Sequence, residues 1–127
     1  MAKVIFHQAG KYLFVGAANT IVGLFIIFAA KWFFHLGDIV ANVIGYTAGF
    51  FLSFTLNSKW TFVYRGPYLS TLVKFILVVL VAYGANLLTV MAMIHYFGLN
   101  SYAAQAMGIV PYTLTSFLGS KYLAFRP

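Results

Sequence analysis

Amides and ammonium groups are the side chains of this 127-residue sequence best suited to chemistry. Asn19, Thr20, Asn42, Asn57, Asn86 and Gln105 interrupt otherwise apolar stretches. An amide offers both donors and acceptors, which suits sugar hydroxyls. Lys11, Lys59, Lys74 and Lys121 flank the same stretches, and an ammonium supplies a point charge suited to a phosphate. Each group also has a plainer reading. A membrane amide can serve as an interhelical hydrogen bond, and a lysine at a helix end can anchor topology. The sequence keeps both readings open for each residue.

Much other chemistry is excluded. Eight Lys/Arg stand against one acid, Asp38, for a net charge of +7, and there is no cysteine. Asp38 alone is a poor basis for acid–base hydrolysis or glycosyl transfer, so no enzymatic activity is expected. Proton-coupled antiport needs a carboxylate inside the membrane, and the apolar stretches contain none. His7, His35 and His95 are far apart in the chain, so no metal site is expected. A phosphate-cradling glycine loop is missing, and no cofactor is expected. Basic nucleic-acid stripes sit on soluble scaffolds, so nucleic acid is not an expected partner either.

The elements that must position these groups follow from composition. Hydrophobic residues make up 63% and charged residues 7% of the chain, whereas soluble domains carry about 25% charged residues. An integral membrane protein is the consistent reading. Spanning helices need about 20 mainly apolar residues, and four stretches qualify: about Tyr12 to Phe34, Ile39 to Asn57, Val73 to Ile94 and Tyr102 to Ser120. The first is too long for a signal peptide and lacks a convincing cleavage site, so it reads as a permanent helix. His35–Asp38 and Gly98–Ser101 are short turns, while Lys59–Leu72, with Arg65-Gly66-Pro67, is the one plausible internal boundary. With a cytoplasmic N-terminus, Lys3, Lys11, Lys59, Arg65, Lys74, Lys121 and Arg126 lie inside. Only Lys31 and Asp38 then lie outside, a strong positive-inside bias that puts both termini in the cytoplasm. Lys3, His7 and Lys11 would share one face of a helical N-terminus, either as an ordinary cationic flank or against the anionic leaflet.

The two halves resemble each other. Lys11 pairs with Lys74, Asn19 with Asn86, Ala41–Gly45 with Ala104–Gly108, and Ser53-Phe54 with Ser116-Phe117. Ser58-Lys59-Trp60 pairs with Ser120-Lys121-Tyr122, and the separation drifts among 67, 63 and 62 residues. Trp60 and Tyr122 fit an interfacial aromatic belt. Ala41, Gly45, Gly49, Ser53 and Asn57 recur every fourth residue as a small-residue seam, echoed by Ala104, Gly108, Tyr112, Ser116 and Ser120. Such a seam packs helices within one chain or between copies. Pro111 interrupts the fourth stretch, as a kink with a freed carbonyl or as a tolerated structural proline. The fold expected is all-α: one integral membrane four-helix bundle over residues 1–127, built from two parallel two-helix repeats, about 11–62 and 74–125.

These motifs are familiar. Phe14-Val-Gly16-x-x-Asn19-Thr20 and Asn42-x-x-Gly45-Tyr46-x-x-Gly49, continuing to Ser53-Phe54-x-x-Asn57-x-Lys59-Trp60-Thr61-Phe62, resemble the GtrA-like family. Lys74-Phe75 and Lys121-Tyr122-x-x-Phe125 resemble its second half, and Pro111-Tyr112 departs from the glycine ladder. The resemblance implies a small bacterial inner-membrane protein that flips a polyprenyl-phosphate-linked sugar, undecaprenyl-phosphate-glucose above all, for O-antigen or surface-polysaccharide modification. It implies a polyprenyl-phosphate glycosyltransferase as a partner. The alternative is a non-transporting subunit that anchors such a transferase. A phage-type pore-former fits the polar spacing less well. Four helices totalling 14.1 kDa offer little shelter for a headgroup, so a homodimer or larger homo-oligomer is expected.

Overall fold

Long apolar runs without helix breakers dictate helices, and helices are what form. The structure is a computed structural model describing residues 1–127. It contains four α-helices, two short π-helical turns and no strand. By contacts it divides into two units, Met1–Arg65 and Gly66–Pro127, each a helical hairpin.

In the first hairpin, α1 spans Ala2–Phe34. It begins ten residues before the apolar stretch, because nothing between Ala2 and Lys11 opposes helix except Gly10. Its 33 residues rise about 50 Å at 1.5 Å each, against a hydrocarbon core of about 30 Å. The helix stops at His35, whose backbone is left-handed (φ 52°, ψ 36°), a conformation histidine adopts more readily than most residues. The Leu36 N–H then donates to the Ala30 carbonyl at 3.3 Å. After Gly37, α2 spans Asp38–Leu56. Lys31 and Asp38 form an ion pair across this turn. The cation lies at a helix C-terminus and the acid at an N-terminus, as the helix dipoles favour.

At Asn57–Thr61 the chain widens into a π-helical turn, closed by the Phe62 N–H on the Asn57 carbonyl at 2.9 Å. Val63 follows with φ 47°, and the Tyr64 N–H donates to the Ser58 carbonyl at 2.7 Å.

In the second hairpin, α3 spans Tyr68–His95 behind the extended Pro67. Gly98, at φ +66°, turns the chain without a Cβ penalty, and the Leu99 N–H reaches the Met93 carbonyl at 3.1 Å. Asn100 caps α4 (Ser101–Gly119) by accepting from the Ala103 N–H at 2.8 Å. Pro111 lies inside α4, which remains helical through it. A second π-helical turn, Ser120–Ala124, is closed by the Phe125 N–H on the Ser120 carbonyl at 2.8 Å.

Three of the four expected spans are helices long and apolar enough to cross a membrane: Ala2–Phe34, Asp38–Thr61 and Tyr68–His95. The helix α4 is as long as α2 but falls outside that set, because Gln105, Pro111, Thr113, Thr115 and Ser116 dilute its apolar character. Large apolar side chains cover the surface, Phe25, Trp32, Phe33, Leu88 and Tyr102 among them. A water-soluble monomer rarely exposes so much. These helices define a membrane protein.

Candidate functional site

The small-residue seam lies inside the hairpins. Gly45 is buried where α2 crosses α1, and a Cβ there would stand 3.0 Å from the Gly23 carbonyl oxygen and overlap the Ile27 side chain. Gly49 leaves the space that the Asn19 amide fills. On α4, Gly108 does the same for Asn86 and Val90, where a Cβ would come within 2.6 Å of Asn86 Nδ2 and 2.9 Å of Val90 Cγ2. The carbonyls and amides approach closely because no Cβ keeps them apart.

The two hairpins correspond at one constant offset along the chain. The helices α2 and α4, the two π-helical turns, and the ring pairs Tyr12–Phe62 (6.3 Å) and Phe75–Phe125 (5.6 Å) all recur 63 residues apart. Two of the pairings expected from sequence shift as a result. Asn86 corresponds to Gly23, and Asn19 to Ala82, so the amide lies one helical turn apart in the two hairpins. Lys59 corresponds to Tyr122, and Lys121 to Ser58. The helices α2 and α4 already stand in that register before the chain widens, so the offset belongs to the hairpins as a whole.

The amides are not gathered in one place. Asn19 and Thr20 line a pocket of about 200 Å³ with Gly23, Ile27, Gly45 and Tyr46, and the Thr20 hydroxyl donates to the Gly16 carbonyl at 3.0 Å. Asn57 is buried and engaged within its own helix: its amide N–H donates to Ser53 Oγ at 3.1 Å, and its Oδ1 accepts from the Thr61 hydroxyl at 2.8 Å. Asn42 and Gln105 are exposed near the starts of α2 and α4.

The cations divide more sharply. The Lys11 ammonium donates to the Trp60 carbonyl at 3.4 Å and lies 5.1 Å from the centre of the Trp60 ring. Lys59 is exposed on the first π-helical turn, and the Lys121 ammonium lies 5.7 Å from the centre of the Tyr122 ring.

Lys74 belongs to a different setting. An open groove of about 920 Å³ runs between α3 and the end of the chain, walled by Leu77, Val78, Val81, Leu118 and Leu123. Val78 packs on Gly119 and Phe75 on Phe125, so the hairpin is antiparallel here. Lys74 and Arg126 therefore stand at the same end of the groove, with Tyr122 beside them and Thr115 farther along. Both cations are exposed, and the one acid in the chain already pairs with Lys31. Arg126 is not among the phosphate ligands expected from sequence. The available signal was its guanidinium, which matches a phosphate in two-pronged geometry. An apolar channel ending in two cations can hold an amphiphile with an anionic head and a hydrocarbon tail.

The fold is thus that of an all-helical membrane protein, and the groove is one that suits an anionic lipid. Residues 11–125 match the family described as GtrA/DPMS, transmembrane domain, and the chain belongs to that family. Membership ties it to membrane proteins concerned with polyprenyl-phosphate sugars. No curated protein matches the chain.

Proposed function

We propose that this protein flips a polyprenyl-phosphate-linked sugar, undecaprenyl-phosphate-glucose in the first instance, from the cytoplasmic to the periplasmic leaflet of the bacterial inner membrane. The product would serve O-antigen or other surface-polysaccharide modification. The observation that carries this reading is the groove with Lys74 and Arg126 at one end and leucine and valine walls along it, in a chain of the GtrA/DPMS family. The cations would take the phosphate, and the walls would take the first isoprene units.

In this proposal the chain is multi-pass, with α4 as a fourth span and both termini cytoplasmic, because nearly all cations then lie inside. The protein has no catalytic step of its own. With no carboxylate inside the spans beyond Asp38 at the first position of α2, where it pairs with Lys31, movement runs down a gradient maintained by a glycosyltransferase that consumes the lipid outside. A homodimer or larger assembly would shelter the headgroup, using faces other than the glycine seams already occupied within each hairpin. The DPMS half of the family description favours one second reading, a non-transporting subunit that stabilises a polyprenyl-phosphate glycosyltransferase.

Purified protein in liposomes with a labelled lipid-linked sugar tests the proposal. Transbilayer movement faster than in empty vesicles is expected. An unchanged rate, together with enhanced activity of a co-purifying transferase, would establish the second reading instead.

A further inference from the structure

The hairpins share one register, yet the place that is a groove of about 920 Å³ on the second is built differently on the first. In the place of Leu123, which walls the groove, the first hairpin has Trp60. The Trp60 ring packs edge-on against Phe14 at 5.6 Å and lies beside the Lys11 ammonium. Lys11 is the register partner of Lys74, but its ammonium already contacts the Trp60 ring and backbone carbonyl. In the place of Arg126 stands Val63, so the second cation is missing as well. What remains around Lys11, Phe14 and Trp60 is an open hollow of about 350 Å³.

We infer that each chain loads one anionic lipid, through the second hairpin alone, and that Trp60 is a built-in plug in the equivalent place on the first. The occupant follows from charge and shape: two exposed cations at one end, neither of them engaged by Asp38, which pairs with Lys31, and an aliphatic channel from there. A phosphate-headed lipid with a linear run of isoprene units fits both. This inference rests on the proposed function for the lipid class, and it adds the stoichiometry, the site and the role of Trp60.

The test is native mass spectrometry of the full chain in detergent micelles, titrated with undecaprenyl phosphate and, separately, with undecaprenol, which lacks the phosphate. The expected result is one undecaprenyl phosphate per chain and at least tenfold weaker binding of undecaprenol. Lys74→Gln with Arg126→Gln, both on exposed side chains, should weaken phosphate-lipid binding at least tenfold. Lys11→Gln should change it less than twofold. Trp60→Leu with Val63→Arg, verified as folded by helical circular dichroism, should bind a second lipid.

Two lipids on the unaltered chain, or an equal loss in Lys11→Gln, would overturn the inference, as would a folded Trp60→Leu/Val63→Arg variant that still binds only one. The proposed transport fails separately. A chain that binds one lipid through this groove without speeding transbilayer movement removes transport and keeps the site. Movement that persists undiminished in Lys74→Gln/Arg126→Gln keeps transport and removes the site.

Discussion

At the scale of the residue, Asn57 and Ser120 occupy the same place at the start of their π-helical turns but meet different surroundings. Asn57 bridges Ser53 and Thr61, so one buried amide satisfies two neighbouring hydroxyls. Ser120 Oγ is buried with no hydrogen-bond partner. Removing a bridging group leaves its partners unmet and costs roughly 1–3 kcal/mol, whereas removing an unpartnered polar atom avoids a desolvation penalty. Asn57→Ala is therefore expected to lower unfolding stability by about that amount, and Ser120→Ala to leave it unchanged or raise it by up to about 1 kcal/mol. Denaturation of the two detergent-solubilised variants, followed by circular dichroism, checks both. The sequence marks Asn57 as a polar residue at membrane depth, and two roles compete for such a residue. Its spacing of four from Ser53 and from Thr61 is the clue to the structural one, because side chains four apart on a helix are neighbours.

At the scale of the element, two glycines in comparable helices have opposite consequences. A Cβ at Gly45 would meet the Gly23 carbonyl and the Ile27 side chain, whereas one at Gly84 on α3 would have no neighbour within 4 Å. Gly45→Ala must push backbone away, for which overpacking costs of about 1–3 kcal/mol are usual. Gly84→Ala should stabilise by about 0.5–1 kcal/mol through helix propensity alone. Thermal unfolding of the pair separates seam from open face. The helices are readable in the sequence because twenty-residue apolar runs have few alternatives in a membrane. The π-helical turns are not, since a shift from the fourth to the fifth residue in hydrogen bonding has no composition of its own. Lys59 and Lys121 look equivalent in the sequence because each follows a serine and precedes an aromatic ring, yet they are the third and the second residues of their turns. The seam is legible as a pattern of small residues. Its placement inside each hairpin needs the Asn19–Gly49 and Asn86–Gly108 contacts.

At the scale of the whole molecule, the charge imbalance makes topology measurable. The chain has no cysteine, so Gly37→Cys and Gly66→Cys each introduce a unique thiol in a turn or loop where the chain is exposed. On the proposed topology, a membrane-impermeant maleimide labels Gly37→Cys on intact spheroplasts and labels Gly66→Cys only after permeabilisation. The reverse pattern would overturn the orientation. Half of the candidate site can be read directly: Lys74 stands out as a flanking cation, whereas Arg126 and the leucine walls become a site only when the antiparallel hairpin brings the chain end beside α3. The inequality of the two hairpins also has a kinetic signature. With one loading place per chain, flux should rise with the density of lipid-linked sugar and level off, and a Hill coefficient above one would come only from coupling between the chains of an assembly. The plateau then counts chains.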